Sequence, residues 1–175
     1  MSGKIITIFG TSNAKPGDEV FSLAYELGRL CAQAGFAIAN GGYGGTMLAA
    51  AKGAKQLGGK TIGVTCSAFG RKSPNEFITE EISTNSLAER LNKLMELGAA
   101  FVVLPGGTGT LLELAQVWEF TNKGFVNPPR LIILLTDFFR PLVDIVAVDD
   151  KKSVEFITIA RTPAQVIEIL MEQFQ

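Results

Sequence analysis

Short apolar runs alternate along the chain with longer segments in which apolar residues recur at spacings of three and four. The short runs are wholly apolar, which is typical of strands in a parallel sheet covered on both faces, and the longer segments have the period of amphipathic helices. We predict strands at residues 4–9, 36–39, 61–65, 77–81, 100–104, 131–135 and 155–159. We predict helices at residues 18–34, 46–57, 86–97, 138–148 and 163–174, with a further helix that ends near residue 122.

The regular order of strand and helix predicts a doubly wound, Rossmann-like α/β fold with a mainly parallel sheet. No linker, internal repeat or low-complexity tract interrupts the pattern, so we expect residues 1–175 to form a single domain. Ligands of such folds bind outside the carboxyl ends of the strands. The loops at residues 10–15, 40–46, 65–73 and 105–110 should therefore gather at the ligand-binding edge.

Composition narrows the classes of function. Of the 175 residues, 47% are hydrophobic and 19% are charged, with 16 basic against 17 acidic side chains. Without a basic patch, no nucleic-acid partner is expected. No apolar run approaches the ~18 residues that cross a bilayer, so no membrane partner is expected either. The first residues lack the layout of a signal peptide, which predicts a cytoplasmic protein.

The chain contains no histidine and two cysteines, Cys31 and Cys66. A Ser-His-Asp or Cys-His site, an HExxH zinc site and a four-thiolate metal site are therefore excluded. Any acid–base chemistry must be carried by Asp, Glu, Lys or Tyr. We expect no metal site.

Two clusters of glycine follow predicted strands and open predicted helices, at residues 41–45 and 106–109. Glycine lets the backbone approach a ligand closely, and the N–H groups and dipole at the start of a helix favour an anion. Tight turns explain either cluster alone, but two clusters at one sheet edge favour a phosphate or carboxylate site. The candidate residues are Gly42, Gly44, Gly45, Gly106, Gly107, Thr108, Gly109 and Thr110.

Familiar nucleotide-binding motifs do not match these loops. The first strand is followed by Gly10-Thr11-Ser12-Asn13, which lacks the G-x-G-x-x-G of a dinucleotide fingerprint. Residues 53–61 resemble a P-loop superficially, but the spacing is one residue too long and the segment precedes a strand rather than following one. A Walker-type NTPase is therefore not indicated.

Glu113 lies in the first turns of the helix that residues 105–110 open, beside three leucines. A carboxylate in apolar surroundings needs a partner, although compensation of the helix dipole also explains an acidic residue there. Arg90, on the preceding helix, is the candidate partner. Spacing alone does not favour it over Lys93, and an arginine on an amphipathic helix commonly belongs to its solvated face.

Residues 105–113, PGGTGTLLE, match the PGGxGTxxE signature of the LOG family, whose members have also carried the label "lysine decarboxylase". Glu89-Arg90 stands at the family's E-R-K position, and Gly10-Thr11-Ser12 resembles its first G-S-S turn. The glycine loop at residues 41–45 with Thr46-Met47 resembles its GGG-x-x-GLMG segment. The resemblance covers at least residues 4–135 and adds Gly10, Thr11 and Ser12 to the candidate ligand-binding residues.

The resemblance implies a phosphoribohydrolase, which cleaves the N-glycosidic bond of a nucleoside 5′-monophosphate to release free base and ribose 5-phosphate. Carried over to the matching positions, Arg90 and Glu113 are the catalytic pair, and residues 106–110 hold the phosphate. The implied partner is a small phosphorylated ligand, a nucleoside monophosphate. No cofactor is implied, and the resemblance favours a homodimer. Pyridoxal-phosphate decarboxylation would need a Schiff-base lysine, and neither glycine loop contains one.

The chain departs from the cytokinin-activating pattern at three positions. Leu91 replaces the lysine of E-R-K, Ala88 stands where many members have histidine, and Leu112 stands where many have a second glutamate. Lost polar contacts motivate an alternative function, a non-catalytic carrier of a nucleotide or of a phosphate-bearing pterin such as the molybdenum cofactor.

Four further residues near the predicted edge have two interpretations each. Tyr43 is placed to stack on a base or to pack on its own domain, and Cys66 is a weak nucleophile candidate because it needs a basic or cationic neighbour. Arg71 and Lys72 either reach a phosphate from their loop or lie on a solvated surface.

Overall fold

The computed structural model describes residues 3–70 and 73–174 as a sheet with helices on both faces. The strands are β1 (Ile5–Phe9), β2 (Ala37–Asn40), β3 (Thr61–Cys66), β4 (Glu80–Thr84), β5 (Ala100–Val103), β6 (Leu131–Leu135) and β7 (Ile157–Ala160). The helices are α1 (Glu19–Gln33), α2 (Thr46–Gln56), α3 (Leu87–Leu97), α4 (Thr108–Asn122), α5 (Arg140–Asp149) and α6 (Pro163–Phe174). Short 3-10 turns cover Ser67–Phe69 and Ser153–Phe156.

The strands are ordered β4-β3-β2-β1-β5-β6-β7, and each described pair is parallel. The prediction of a doubly wound α/β fold with a mainly parallel sheet is therefore confirmed. The first four strands extend the sheet in one direction, and the chain then returns to place β5 on the other side of β1. The order reverses between β1 and β5, where Ile6 pairs with Ala100, and a reversal of this kind opens a crevice for ligands.

Two apolar cores explain why the strands are apolar rather than alternating. In β5, Ala100 and Val102 pack in the core under α1, α2 and α6, while Phe101 and Val103 pack in the core under α3, α4 and α5. Successive side chains of a strand point to opposite faces, so a sheet covered on both faces needs apolar residues throughout. The four side chains are at most 1% exposed.

Two strands begin at least two residues later than the sequence predicted. The predicted strand at residues 77–81 starts only at Glu80, because Asn75 closes a turn by accepting from the Phe77 N–H at 3.1 Å and the Ile78 N–H at 3.1 Å. The predicted strand at residues 155–159 is a 3-10 turn up to Phe156 and a strand from Ile157. Asp150 fixes that turn, since its carboxylate accepts from the Ser153 N–H at 3.1 Å.

No helix among residues 3–70 and 73–174 has the length and apolar character needed to cross a bilayer.

Candidate functional site

A cleft of about 360 Å³ opens at the carboxyl ends of β1, β2 and β5, at the reversal of the strand order. It brings together most of the residues that the sequence nominated. The lining includes Gly10, Thr11 and Ser12 after β1, Gly107, Thr108, Gly109 and Thr110 at the start of α4, and both Arg90 and Glu113. Gly42, Gly44, Gly45 and Gly106 do not line it.

The first turn of α4 presents open backbone donors to the cleft. Gly107 caps the helix without a side-chain hydrogen bond, and the helical hydrogen bonds begin with the Leu111 N–H donating to the Gly107 carbonyl at 3.0 Å. The N–H groups of residues 108–110 come before that bond and have no acceptor in the described part of the chain. A Cβ on Gly107 or Gly109 would meet nothing within 4 Å. This turn is therefore an accessible, positively polarised cradle for an anion.

The loops after β1 and β5 are locked together behind this cradle. The Thr11 N–H donates to the Pro105 carbonyl at 3.1 Å, which connects the two loops directly. Gly106 supports the contact, because a Cβ there would lie 2.2 Å from Thr110 Oγ1 and 3.0 Å from Thr11 N. Gly106 thus shapes the cradle from behind rather than from the cleft.

The glycine loop at residues 41–45 forms part of the wall of the cleft. The Gly42 N–H donates to Asn40 Oδ1 at 2.8 Å, and the Gly42 carbonyl accepts from the Asn75 N–H at 2.7 Å. Gly45 has φ +65°, and its Cβ would lie 2.3 Å from the Thr11 carbonyl oxygen. Gly41 and Tyr43 are the residues of this loop that line the cleft. Ligand contact by Gly42, Gly44 and Gly45 stays a prediction.

Arg90 lines the cleft but is buried, with 6% of the residue exposed. It lies in the first turn of α3, where Ser86 caps the helix by accepting from the Glu89 N–H at 3.2 Å. Arg90 Nε donates to the Val64 carbonyl at 2.9 Å, and Nη1 lies 3.4 Å from Glu113 Oε1. The alternative on the same helix, Lys93, instead pairs at 2.7 Å with the exposed Glu96.

Two aromatic rings flank the Arg90 guanidinium. Its Cζ lies 6.0 Å from the ring centroid of Tyr43 and 5.6 Å from that of Phe69, distances at which a cation is attracted to the face of a ring. The Tyr43 hydroxyl donates to the Cys66 carbonyl at 3.2 Å and accepts from the Cys66 N–H at 2.9 Å, which fixes the ring. Cys66 is 1% exposed and does not line the cleft, so its thiol is not presented there.

The Glu113 carboxyl is the ionisable group most altered by this environment. Burial raises its pKa from 4.5 to about 7, while the charge and hydrogen bond of Arg90 act in the opposite direction. The residue is 9% exposed and lines the cleft, as do its neighbours Thr110 and Leu112. Near neutral pH, the carboxyl therefore exchanges between its acid and carboxylate forms, as acid–base or charge-stabilising chemistry requires.

The lining of the cleft combines polar and apolar side chains. The polar ones include Ser12, Asn13, Thr108 and Thr110, and the apolar and aromatic ones include Tyr43, Met47, Phe69, Leu87, Leu91 and Leu112. Two departures from the LOG pattern, Leu91 and Leu112, both line the cleft. The sequence reasoning missed Met47, Phe69 and Leu87. Leu87 was recognisable as an apolar first residue of a capped helix, but nothing near Phe69 distinguished it within a polar loop.

The remaining points from the sequence concern two basic residues and metal binding. Arg71 and Lys72 lie outside the described residues. Within residues 3–70 and 73–174, no group of three or more His, Cys, Asp or Glu side chains could hold a metal ion.

Comparison with known proteins assigns most of the chain to a family. It matches the model of the SLOG cluster4 family over residues 3–167. A cytokinin riboside 5′-monophosphate phosphoribohydrolase of Rhodococcoides fascians is 29% identical over 143 residues, which cover 80% of this chain and 72% of that protein. One of Mycobacterium tuberculosis is 36% identical over 117 residues, which cover 66% of this chain and 63% of that protein.

A solved structure of the molybdenum cofactor binding protein from the phototrophic bacterium Rippkaea orientalis is also similar. It has a TM-score of 0.80 at 28% identity, and the match covers 100% of this chain and 99% of that one. The family match spans nearly all of the chain and includes the PGGTGTLLE segment around the cradle and Glu113. The chain therefore belongs to the LOG family, in the group described as the SLOG cluster4 family.

Proposed function

We propose that the protein is a nucleoside 5′-monophosphate phosphoribohydrolase that releases free base and ribose 5-phosphate. The observation that carries the proposal is the buried Arg90–Glu113 pair, 3.4 Å apart, in the same cleft as the open first turn of α4. The first turn of α4 binds an anion, and the Glu113 carboxylate of the pair stabilises a cation. A phosphorylated sugar that loses its base needs both.

Binding begins at the cradle. The 5′-phosphate accepts hydrogen bonds from the N–H groups of residues 108–110, which have no acceptor in the described part of the chain. Helix starts bind phosphate through such donors and through the helix dipole. Because the cradle and Glu113 belong to the same helix, a bound phosphate fixes the distance between the ribose and the carboxyl.

Cleavage breaks the bond between C1′ of the ribose and the nitrogen of the base, and the electron pair leaves with the base. Positive charge then develops on the sugar ring, and the Glu113 carboxylate stabilises it from within a buried site. Water supplies the hydroxyl that forms at C1′, and its proton neutralises the departing base. Arg90 favours the ionised form of Glu113 and holds the carboxylate in place.

The named relatives support this assignment, since the R. fascians and M. tuberculosis proteins are both phosphoribohydrolases of cytokinin riboside 5′-monophosphate. The test is to incubate the purified protein with AMP and with an N6-prenylated AMP and to follow base release by chromatography. Glu113→Gln should lower base release by at least about a hundredfold.

Glu119→Gln is the matched control, because Glu119 is on the same helix and 57% of its side chain is exposed. It should leave the rate unchanged. Base release that survives Glu113→Gln would refute the assigned mechanism. A lack of turnover with every nucleoside monophosphate would refute the proposal that the protein is an enzyme of this class.

A second candidate function is a carrier that holds a phosphorylated ligand without cleaving it. Two observations favour it: the similarity to the R. orientalis molybdenum cofactor binding protein along the whole chain, and the uncharged leucines at positions 91 and 112 of the cleft. Ligand binding stabilises the folded protein by a free energy that grows with the logarithm of the ratio of ligand concentration to Kd, and the melting temperature rises as a result. Stabilisation by AMP without base release would favour the carrier over the hydrolase.

A cytoplasmic homodimer is part of the same proposal. Several large apolar side chains are exposed on the described surface, among them Phe125 at 72%, Ile145 at 69% and Val148 at 84%. Light scattering of the purified protein should give twice the mass of the 175-residue chain. A monomer mass at micromolar concentration would contradict the dimer.

A further inference from the structure

Phe69 is an exposed aromatic residue whose ring lies against a buried charge. It is the last residue of the 3-10 turn Ser67–Phe69 and is 43% exposed. Its ring centroid lies 5.6 Å from Arg90 Cζ and 6.2 Å from the Tyr43 ring. The same residue lines the cleft.

The other sides of the guanidinium are enclosed by fixed groups. The Val64 carbonyl accepts from Nε, and Glu113 Oε1 faces Nη1. A Cβ on Gly41 would lie 1.7 Å from Nη2, so the backbone closes that side. Tyr43, at 6% exposure, is part of the interior. Phe69 alone among these neighbours is substantially exposed, so its ring meets both Arg90 and solvent.

We propose that Phe69 is a positioning residue whose ring covers the Arg90 guanidinium and keeps bulk water from the Arg90–Glu113 pair. Phe69 acts through the pair and has no part in bond breaking. Excluding water strengthens charge interactions within a site and maintains the desolvation of its ionisable groups. The importance of the cover for catalysis rests on the proposed hydrolase function, but its effect on the pair does not.

The consequence is measurable at the Glu113 carboxyl. Among the described residues, Arg90 on α3 is the charged side chain that affects the pKa of Glu113. The Tyr43 phenol is the titratable group that faces Arg90 from the loop between β2 and α2. Arg90 remains held by the Val64 carbonyl and by the backbone at Gly41 when Phe69 is shortened. Water entry is then the main change, and it favours the carboxylate.

The experiment titrates the Glu113 carboxyl by NMR in protein labelled with 13C at the glutamate side chains, with the resonance assigned by its loss in Glu113→Gln. In Phe69→Ala, the midpoint should fall by about one pH unit toward the ordinary glutamate value. In Phe69→Leu, which keeps an apolar cover without a π face, the midpoint should stay near that of the unmodified protein.

Phe138→Ala is the matched control. Phe138 is also an exposed phenylalanine with one aromatic contact, at 4.9 Å to Phe139, and it does not line the cleft. Its removal should not move the midpoint. If Phe69→Ala fails to fold, Phe69→Gln replaces the ring by a hydrated side chain and should lower the midpoint in the same way. A midpoint that is unchanged or higher in the folded Phe69 variant overturns the proposal.

Kinetics provide a separate readout. If the protein hydrolyses nucleoside monophosphates, the pH at which kcat rises should shift downward in Phe69→Ala together with the NMR midpoint. If the protein hydrolyses none of them, the carboxyl titration still decides the role of Phe69. Failure of the hydrolase proposal is thus distinguishable from failure of this one.

Discussion

Gly41 leaves the space that the Arg90 guanidinium occupies: a Cβ built on Gly41 would lie 1.7 Å from Arg90 Nη2 and 2.7 Å from Met47 Sδ. The backbone of the glycine loop and the arginine of α3 are therefore in direct contact. The glycine at position 41 serves the geometry of the Arg90–Glu113 pair, in addition to any contact with ligand.

Gly41→Ala should displace Arg90 and lower base release, because the added methyl group and the guanidinium cannot share the same space. Overpacking of a buried site costs about 1–3 kcal/mol, so the free energy of unfolding should fall by that amount. Urea denaturation and the base-release assay measure the two effects.

Gly44→Ala is the control from the same loop. A Cβ at Gly44 would meet the Ser12 carbonyl oxygen at 3.7 Å, an ordinary van der Waals contact. Stability and rate should therefore stay close to those of the unmodified protein. Equal effects of the two substitutions would show that loop flexibility, rather than contact with Arg90, is what matters.

The Glu113 carboxyl should make the stability of the protein depend on pH. Its pKa is 4.5 when unfolded and about 7 when folded, so the folded state binds the proton more tightly. The resulting stability is fully present below pH 4.5 and is lost as pH rises through about 7. The full effect of this group is roughly 3 kcal/mol.

Glu113→Gln cannot titrate and should flatten this part of the curve. Chemical denaturation of both proteins between pH 4 and 8, at steps of about half a unit, measures the difference in slope. Parallel curves would mean that the Glu113 carboxyl has an ordinary pKa in the folded protein.

Arg90→Gln should raise the pKa of Glu113 above its value of about 7, because the guanidinium lowers that pKa through both charge and hydrogen bonding. Less carboxylate is then present at neutral pH, and base release at pH 7 should fall about fivefold for the first unit that the pKa rises and about tenfold for each further unit. The rise of kcat with pH should move to higher pH.

Lys93→Gln provides the comparison on the same helix, since Lys93 pairs with the exposed Glu96 rather than with Glu113. Its pH–rate profile should coincide with that of the unmodified protein. A shift toward lower pH in Arg90→Gln would contradict the role assigned to Arg90.

Elements with strong local signals were predicted at the correct residues. β6 (Leu131–Leu135) is an unbroken apolar run, and α6 (Pro163–Phe174) begins at a proline suited to a first helical turn. β4 was predicted three residues early because Phe77 and Ile78 resemble strand residues locally. Asn75 instead holds Phe77 and Ile78 in a turn. Its side-chain amide donates to the carbonyls of Gly42 at 3.1 Å and Tyr43 at 2.8 Å, which anchors the turn.

The candidate site was predictable only in part. The PGGTGTLLE segment indicated Glu113 and the α4 cradle, because a helix start and its first carboxylate are local features. The partnership of Arg90 with Glu113 depends on how α3 and α4 meet beside the sheet, and only the family resemblance favoured Arg90 over Lys93. Phe69 comes to the cleft because it follows β3, which is separated from β1 by β2 alone. The sequence predicted that residues 65–73 lie at this edge but did not distinguish Phe69 among them.

Gly109→Asp should weaken ligand binding and stabilise the fold at the same time. A Cβ at Gly109 meets nothing within 4 Å, so the side chain fits without strain, and its carboxylate occupies the position of the ligand's phosphate near the N–H groups of α4. An acidic residue in the first turn of a helix stabilises it by about 0.3–1 kcal/mol. Repulsion of the phosphate should raise KM, or the Kd for AMP, by at least about tenfold, equivalent to 1.4 kcal/mol.

Gly109→Asn separates charge from size, because it has the same shape without the negative charge. Thermal unfolding and AMP titration of both variants should show lower affinity and higher stability for the aspartate than for the asparagine. Equal affinities would mean that the phosphate does not bind at the start of α4. A loss of stability in Gly109→Asp would mean that the first turn does not present the unpaired donors on which the proposed function depends.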